Sequence, residues 1–142
     1  IMDHENIKEE NIFLDHAGFS TYETMYRAKE IFKVKIESEE ELISYGRKLQ
    51  EKGARNVLIS MAGDGAILIN ENNEILKSKA PKGEVKNSVG AGDSMVAGFI
   101  AGYIKNNDYK EALKLGIATG SASAFSEDLA TKEKIEEIFS GL

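Results

Sequence analysis

The sequence contains no cysteine and no tryptophan. Disulfides and thiolate metal sites are therefore excluded, and nothing in the composition calls for an oxidising compartment. A cytoplasmic location is expected. Long apolar runs are also missing: none approaches the roughly 20 residues that span a bilayer, so no membrane partner is expected. The opening stretch "IMDHENIKEE" is acidic, whereas a secretory signal is basic and then apolar. Basic residues are in deficit, with 18 Lys and Arg against 24 Asp and Glu and a net charge of -6. The lysines are scattered among glutamates with no basic stripe, which argues against nucleic acid as a partner. The two histidines, His4 and His16, have neither a second ligand at metal spacing nor a triad partner, and are expected to face solvent. The run "ESEEE" at 37–41 reads as a capped, negatively charged helix start. No metal-ligating residues are expected.

What remains is a chain of 142 residues, 42% of them hydrophobic, long enough for one domain with a real core. Residues 39–52 place Leu42, Ile43 and Leu49 near one helical face, and Ser38 followed by Glu41 forms a capping-box pattern. This helix is expected to end at Gly53. "VLISMA" then has the length and bounds of a buried strand. "GDG" at 63–65 separates it from "AILIN", and "ENN" separates that from "EILKSKA", giving a strand and hairpin series. The lone proline, Pro81, opens a polar connection, "PKGEVKNS". "SMVAGFIAGYIKN" follows Asp93 and is apolar almost all round, which predicts a helix buried on most of its surface. A further helix is predicted from Asp108, with Glu111 at the reciprocal capping position, through a segment rich in Gly, Ala and Ser. A last helix spans 131–139 with Ile135, Ile138 and Phe139 on one side. In residues 1–30 the pattern is weaker, with "NIFLD" as a short strand and "TYETMYRAKEIF" as a short helix grouping Tyr22, Met25 and Tyr26. The whole implies an α/β fold with helices packed on a mainly parallel sheet.

The stretch "NSVGAGDSMVAGFIAG", residues 87–102, carries the chemistry. A helix that begins near Gly92 presents unpaired N–H groups and the positive end of its dipole, and the glycines before it let an anion approach without meeting a Cβ. Asp93 in the first turn can orient a hydroxyl and accept its proton. A base beside an anion hole suits phosphoryl transfer, in which positioning and charge stabilisation carry most of the catalysis. The plain alternative is an ordinary acidic first-turn residue after a flexible bend. A Walker loop is excluded because G-K-[ST] is missing, and a dinucleotide fingerprint because the third glycine and the ribose-binding acid are missing.

Three linked stretches, "VLISMAGDGAILI", "NSVGAGDSMVAGFIAG" and "GIATGSASAFSEDLAT", give the wider context. In this order they resemble the C-terminal part of the PfkB (ribokinase-like) carbohydrate kinases, over residues 31–142. The likeness is strongest to the 1-phosphofructokinase and tagatose-6-phosphate kinase branch. The resemblance implies ATP and Mg²⁺ as cofactors and a sugar phosphate as the acceptor. It implies that Asp93 is the catalytic base and that Gly90, Ala91 and Gly92 form the anion hole. It also implies that the loop containing Ser60, Gly63, Asp64 and Gly65 lies against ATP phosphates or ribose, and that the helix around Gly120 and Ser123 lines the adenine side. The residues themselves allow plainer roles: "GDG" is also a good hairpin turn, and Gly120–Ser123 also suits a tight helix contact.

The sequence departs from the family pattern in two respects. Family members are roughly twice as long, and "YRAKEIF" stands where they carry K-P-N and an acidic residue. The sugar-binding elements of the family are not recognisable. The alternative reading is therefore a non-catalytic ribokinase-like fragment that binds nucleotide weakly or acts as an interaction module. A sheet cut in the middle exposes an edge and an apolar face, which favour a homo-oligomer or a complementing N-terminal half.

Overall fold

A computed structural model describes residues 38–142. The expected strand at "NIFLD", the helix at "TYETMYRAKEIF", and both histidines lie outside the described residues.

Helix α1, Glu39–Glu51, starts where Ser38 Oγ accepts the Glu41 N–H at 3.2 Å. Helix α4, Lys132–Gly141, starts in the same way, with Thr131 accepting from Lys134 N–H. Glu40 and Glu133 sit beside these caps. Backbone N–H groups, and then the Ser38 and Thr131 side chains, hold both carboxyls below the usual carboxylate range. Leu42 and Ile43 of α1 pack on Val57, Ile67 and Ile69. Leu49 does not join them and is exposed. Gly46 takes the central contact instead, since a Cβ there would overlap Ile69 Cδ1.

Three strands follow: β1 Val57–Ser60, β2 Ala66–Ile69 and β3 Ile75–Ser78. They pair in the order β1-β2-β3, with Val57 opposite Ile69 and Ile69 opposite Ile75. Every residue of β2 is fully buried. The sheet's pleat sends Ile67 and Ile69 towards α1, while Ala66 and Leu68 join a second cluster with Met95, Leu113 and Ile117. A strand covered on both faces must be apolar throughout, hence "AILI" without alternation.

The expectation of a mainly parallel sheet is corrected here, because both pairings among the described residues are antiparallel. The connections Met61–Gly65 and Asn70–Glu74 are the reason. A parallel pair needs a crossover of a dozen or more residues, and these turns are far too short for one.

Helices α2, Ala91–Asn106, and α3, Tyr109–Ala124, form a hairpin joined by Asn107 in the left-handed region. Their contact runs through glycines. A Cβ on Gly102 would sit 2.9 Å from Ala112 Cα, and one on Gly116 would sit 2.8 Å from the Met95 carbonyl oxygen. The α3 cap is Asp108, which accepts the Glu111 N–H at 2.8 Å. Asp108→Ala is expected to cost about 1 kcal/mol, read as a lower urea midpoint with an unchanged slope.

A second correction concerns α2. Met95, Gly98 and Gly102 are buried, but Val96, Ile100 and Ile104, four residues apart on one face, are 47%, 51% and 79% exposed. The helix is covered on one side only among the described residues. Helix α4 follows expectation, with Ile135, Ile138 and Phe139 half-buried and Lys114 Nζ lying 4.6 Å from the Phe139 ring centre. No helix among the described residues is long and apolar enough to cross a membrane.

Candidate active site

An open cleft of about 470 Å³ lies between the β1–β2 turn, the segment 80–88, the start of α2 and the end of α3. Each wall follows from local sequence. In the β1–β2 turn, Ala62–Asp64 forms one 3-10 turn, closed by Met61 N–H donating to Gly65 O at 2.8 Å. Gly65 has φ +99°, and a Cβ there would overlap the Ser78 carbonyl oxygen and come within 2.7 Å of Lys79 Cα. Gly63 in the same turn faces open space. "GDG" is thus a hairpin turn and a cleft wall at once.

The turn into α2 is built by Asn87. Its Oδ1 accepts the Val89 N–H at 3.0 Å, and its Nδ2 donates to the Glu127 carbonyl oxygen at 2.9 Å. Gly90 then takes φ +78° as the N-cap. The other three described helices each have a side-chain oxygen on their first-turn donors, but α2 has none. Ala91 N–H reaches Ser88 O at 3.3 Å. The N–H groups of Gly92 and Asp93 have no acceptor among the described residues. A Cβ on Gly92 would meet nothing within 4 Å. This helix end therefore combines free donors, positive dipole potential and open space beside the cleft.

The predicted site residues divide on this frame. Ser60, Gly63, Gly65, Ala91, Gly92 and Gly120 line the cleft. Gly120 also serves the helix contact, with a Cβ position 3.0 Å from the Ala91 carbonyl oxygen. Asp64, Gly90, Asp93 and Ser123 are not among the lining residues. Asp64 is exposed. Asp93 is also exposed, directly follows cleft-lining Gly92, and its carboxylate has no partner among the described residues. Ser123 is buried and donates to Ser94 Oγ at 2.9 Å, tying the end of α3 to the first turn of α2.

Sequence reasoning missed Phe125, Gly83 and Lys82, which also line the cleft. The Phe125 ring lies against Gly83 so closely that a Cβ there would overlap it. The available signal was a large aromatic ending a run of small residues, but its partner lies 42 positions away. No group of three or more His, Cys, Asp or Glu that could hold a metal occurs among the described residues.

The model of the pfkB family carbohydrate kinases matches residues 24–135. The chain belongs to this family. It is 50% identical over 109 residues to the 1-phosphofructokinase of Bacillus subtilis, covering 77% of this chain and 36% of that protein. It is 40% identical over 100 residues to the D-tagatose-1-phosphate kinase of Bacillus licheniformis, covering 70% of this chain and 33% of the relative. Both belong to the branch that the sequence resembled, although the tagatose relative is named for the 1-phosphate and not the 6-phosphate. The chain thus spans about a third of the length of these curated relatives.

A crystal structure of a Staphylococcus aureus protein assigned as a phosphofructokinase superposes with TM-score 0.73 and 42% identity, over 81% of this chain and 37% of that one. Arabidopsis thaliana ribokinase, solved with ribose and ATP, superposes with TM-score 0.66 at 18% identity, over 72% of this chain and 35% of that chain. Such distant identity shows the fold alone. The fold is the C-terminal part of the ribokinase-like architecture.

Proposed function

We propose that this chain forms the nucleotide and catalytic-base side of an ATP-dependent kinase acting on a hydroxyl of a ketohexose phosphate. The observation that carries the reading is the uncapped start of α2, where Gly92 leaves open space beside two free N–H donors at the cleft. The 1-phosphofructokinase and tagatose-1-phosphate kinase relatives supply the acceptor class.

In this reading the Asp93 carboxylate takes the proton of the acceptor hydroxyl as that oxygen bonds to the γ-phosphorus. The bond from the γ-phosphorus to the bridging oxygen breaks and ADP leaves. The N–H groups at Gly92 and Asp93, with Gly90 and Ala91 shaping the turn, stabilise the charge on the transferred group. Ser60, Gly63 and Gly65 face the ATP phosphates or ribose, with Asp64 at the outer edge of that turn, and Gly120 faces the adenine. Ser123 acts through Ser94, holding the first turn of α2. The described residues hold no carboxylate cluster that would bind Mg²⁺ by itself, and an ion accompanying ATP would need only one or two carboxylates from the protein. When bound, it neutralises phosphate charge. A cytoplasmic enzyme agrees with the absence of cysteine.

The test is calorimetry of ATP·Mg²⁺ with the purified chain and a Gly92→Val variant. The Gly92 Cβ position is open, so the valine is expected to leave the fold intact and to remove micromolar to low-millimolar binding. Equal binding by both proteins would sink the assignment of this turn as the phosphate site. The exposed Val96, Ile100 and Ile104 stripe favours a second reading as an interaction module, completed by another copy or by a separate N-terminal half. Under that reading nucleotide binds weakly and sugar phosphorylation is undetectable.

A further inference from the structure

We propose that Asn87 is a positioning residue for the anion hole, coupling it to the segment that follows α3. The inference rests on the nucleotide reading and adds a residue that reading does not use. Asn87 does not line the cleft. It is half-buried, and its amide is engaged at both ends. The acceptor end holds the Val89 N–H at 3.0 Å, and the donor end holds the Glu127 carbonyl oxygen at 2.9 Å, 40 residues away.

The backbone repeats the same connection. Lys86 and Asn87 both donate their N–H groups to the Ala124 carbonyl oxygen, at 2.9 and 3.2 Å. Ala124 and Phe125 in turn line the cleft. The Asn87 side chain thus ties the Val89–Gly90 turn to Glu127, two residues beyond the cleft-lining Phe125. The free N–H groups of Gly92 and Asp93 follow immediately, so a small rotation of this turn re-aims them. Donors for a transferred phosphoryl group act only when held in place beforehand, and misplacement by about 1 Å costs on the order of a hundredfold.

Asn87→Ala removes both bonds. Asn87→Ser retains a hydroxyl that can accept from Val89 N–H and loses the bond to Glu127. Calorimetry with ATP·Mg²⁺ and ADP·Mg²⁺, run with thermal melting and hydrogen exchange at the Val89 amide, separates positioning from simple support. Asn87→Ala is expected to weaken ATP·Mg²⁺ binding at least about tenfold while changing ADP·Mg²⁺ binding by less than about threefold. Exchange at Val89 should rise, and Asn87→Ser should recover part of the ATP affinity. Wild-type ATP affinity in Asn87→Ala overturns the inference and leaves the nucleotide reading standing. Equal loss of ATP and ADP with a lower melting temperature assigns a purely structural role and also overturns it. A folded wild type that binds neither nucleotide removes the nucleotide reading and this inference together.

Discussion

Under the proposed kinase reading, Asp93→Asn is expected to lower phosphorylation of a ketohexose phosphate by about 10² to 10⁴-fold, the usual effect of removing a general base. ATP·Mg²⁺ affinity should stay within about twofold, because the change is made beside the proposed phosphate site and not in the cleft wall. The reason for that separation is geometric. The Asp93 side chain is exposed and without a partner among the described residues, so the isosteric amide disturbs no packing and no hydrogen bond. The amide cannot take the proton of an attacking hydroxyl. ADP release coupled to a colour change, measured beside calorimetry, gives both quantities. Turnover equal to wild type would remove Asp93 from the reaction. If both proteins bind ATP and neither turns over, the chain holds a nucleotide side without a working acceptor side.

The second large effect is expected at Gly65. With φ +99° and a Cβ position that overlaps the Ser78 carbonyl oxygen, Gly65→Ala forces β3 away from the β1–β2 turn and should cost about 3 kcal/mol or more. Gly63→Ala, two residues earlier in the same "GDG", meets nothing within 4 Å and should change stability by less than about 0.5 kcal/mol. Urea unfolding of both variants reads the contrast. Equal midpoints would show that the turn is not shaped as described. The same pair also separates two roles in one motif, because Gly63 faces the cleft without supporting the fold, whereas Gly65 does both. A bulky residue at 63 should therefore reduce ATP·Mg²⁺ affinity with the melting temperature unchanged.

The contrast between those two glycines shows how far local pattern reaches. The caps at Ser38 and Asp108 were legible because each bond spans three residues. The glycine turn before Asp93 was legible for the same reason, and so was the bounded run "AILI". Sequence alone also pointed to the kinase family, through three stretches in fixed order. The parallel sheet was an inference from architecture, and the short turns already visible in "GDG" and "ENN" argued for antiparallel pairing.

Other features depended on residues far apart along the chain. The burial of Gly98, Gly102, Gly116 and Gly120 is set by how α2 and α3 approach one another. The Ser123–Ser94 bond spans 29 residues, and the Asn87–Glu127 bond spans 40. The apolar run of α2 predicted burial on most of its surface, yet Val96, Ile100 and Ile104 remain exposed among the described residues. Hydrophobicity states that a face gains by being covered, but only the neighbouring elements decide whether it is. Sequence by itself determined the helix starts, the strand runs, the glycine turn and the family. The tertiary structure decided which glycines carry packing, which line the cleft and which side chains hold the turn, because those properties arise from surfaces that meet only after the chain has folded.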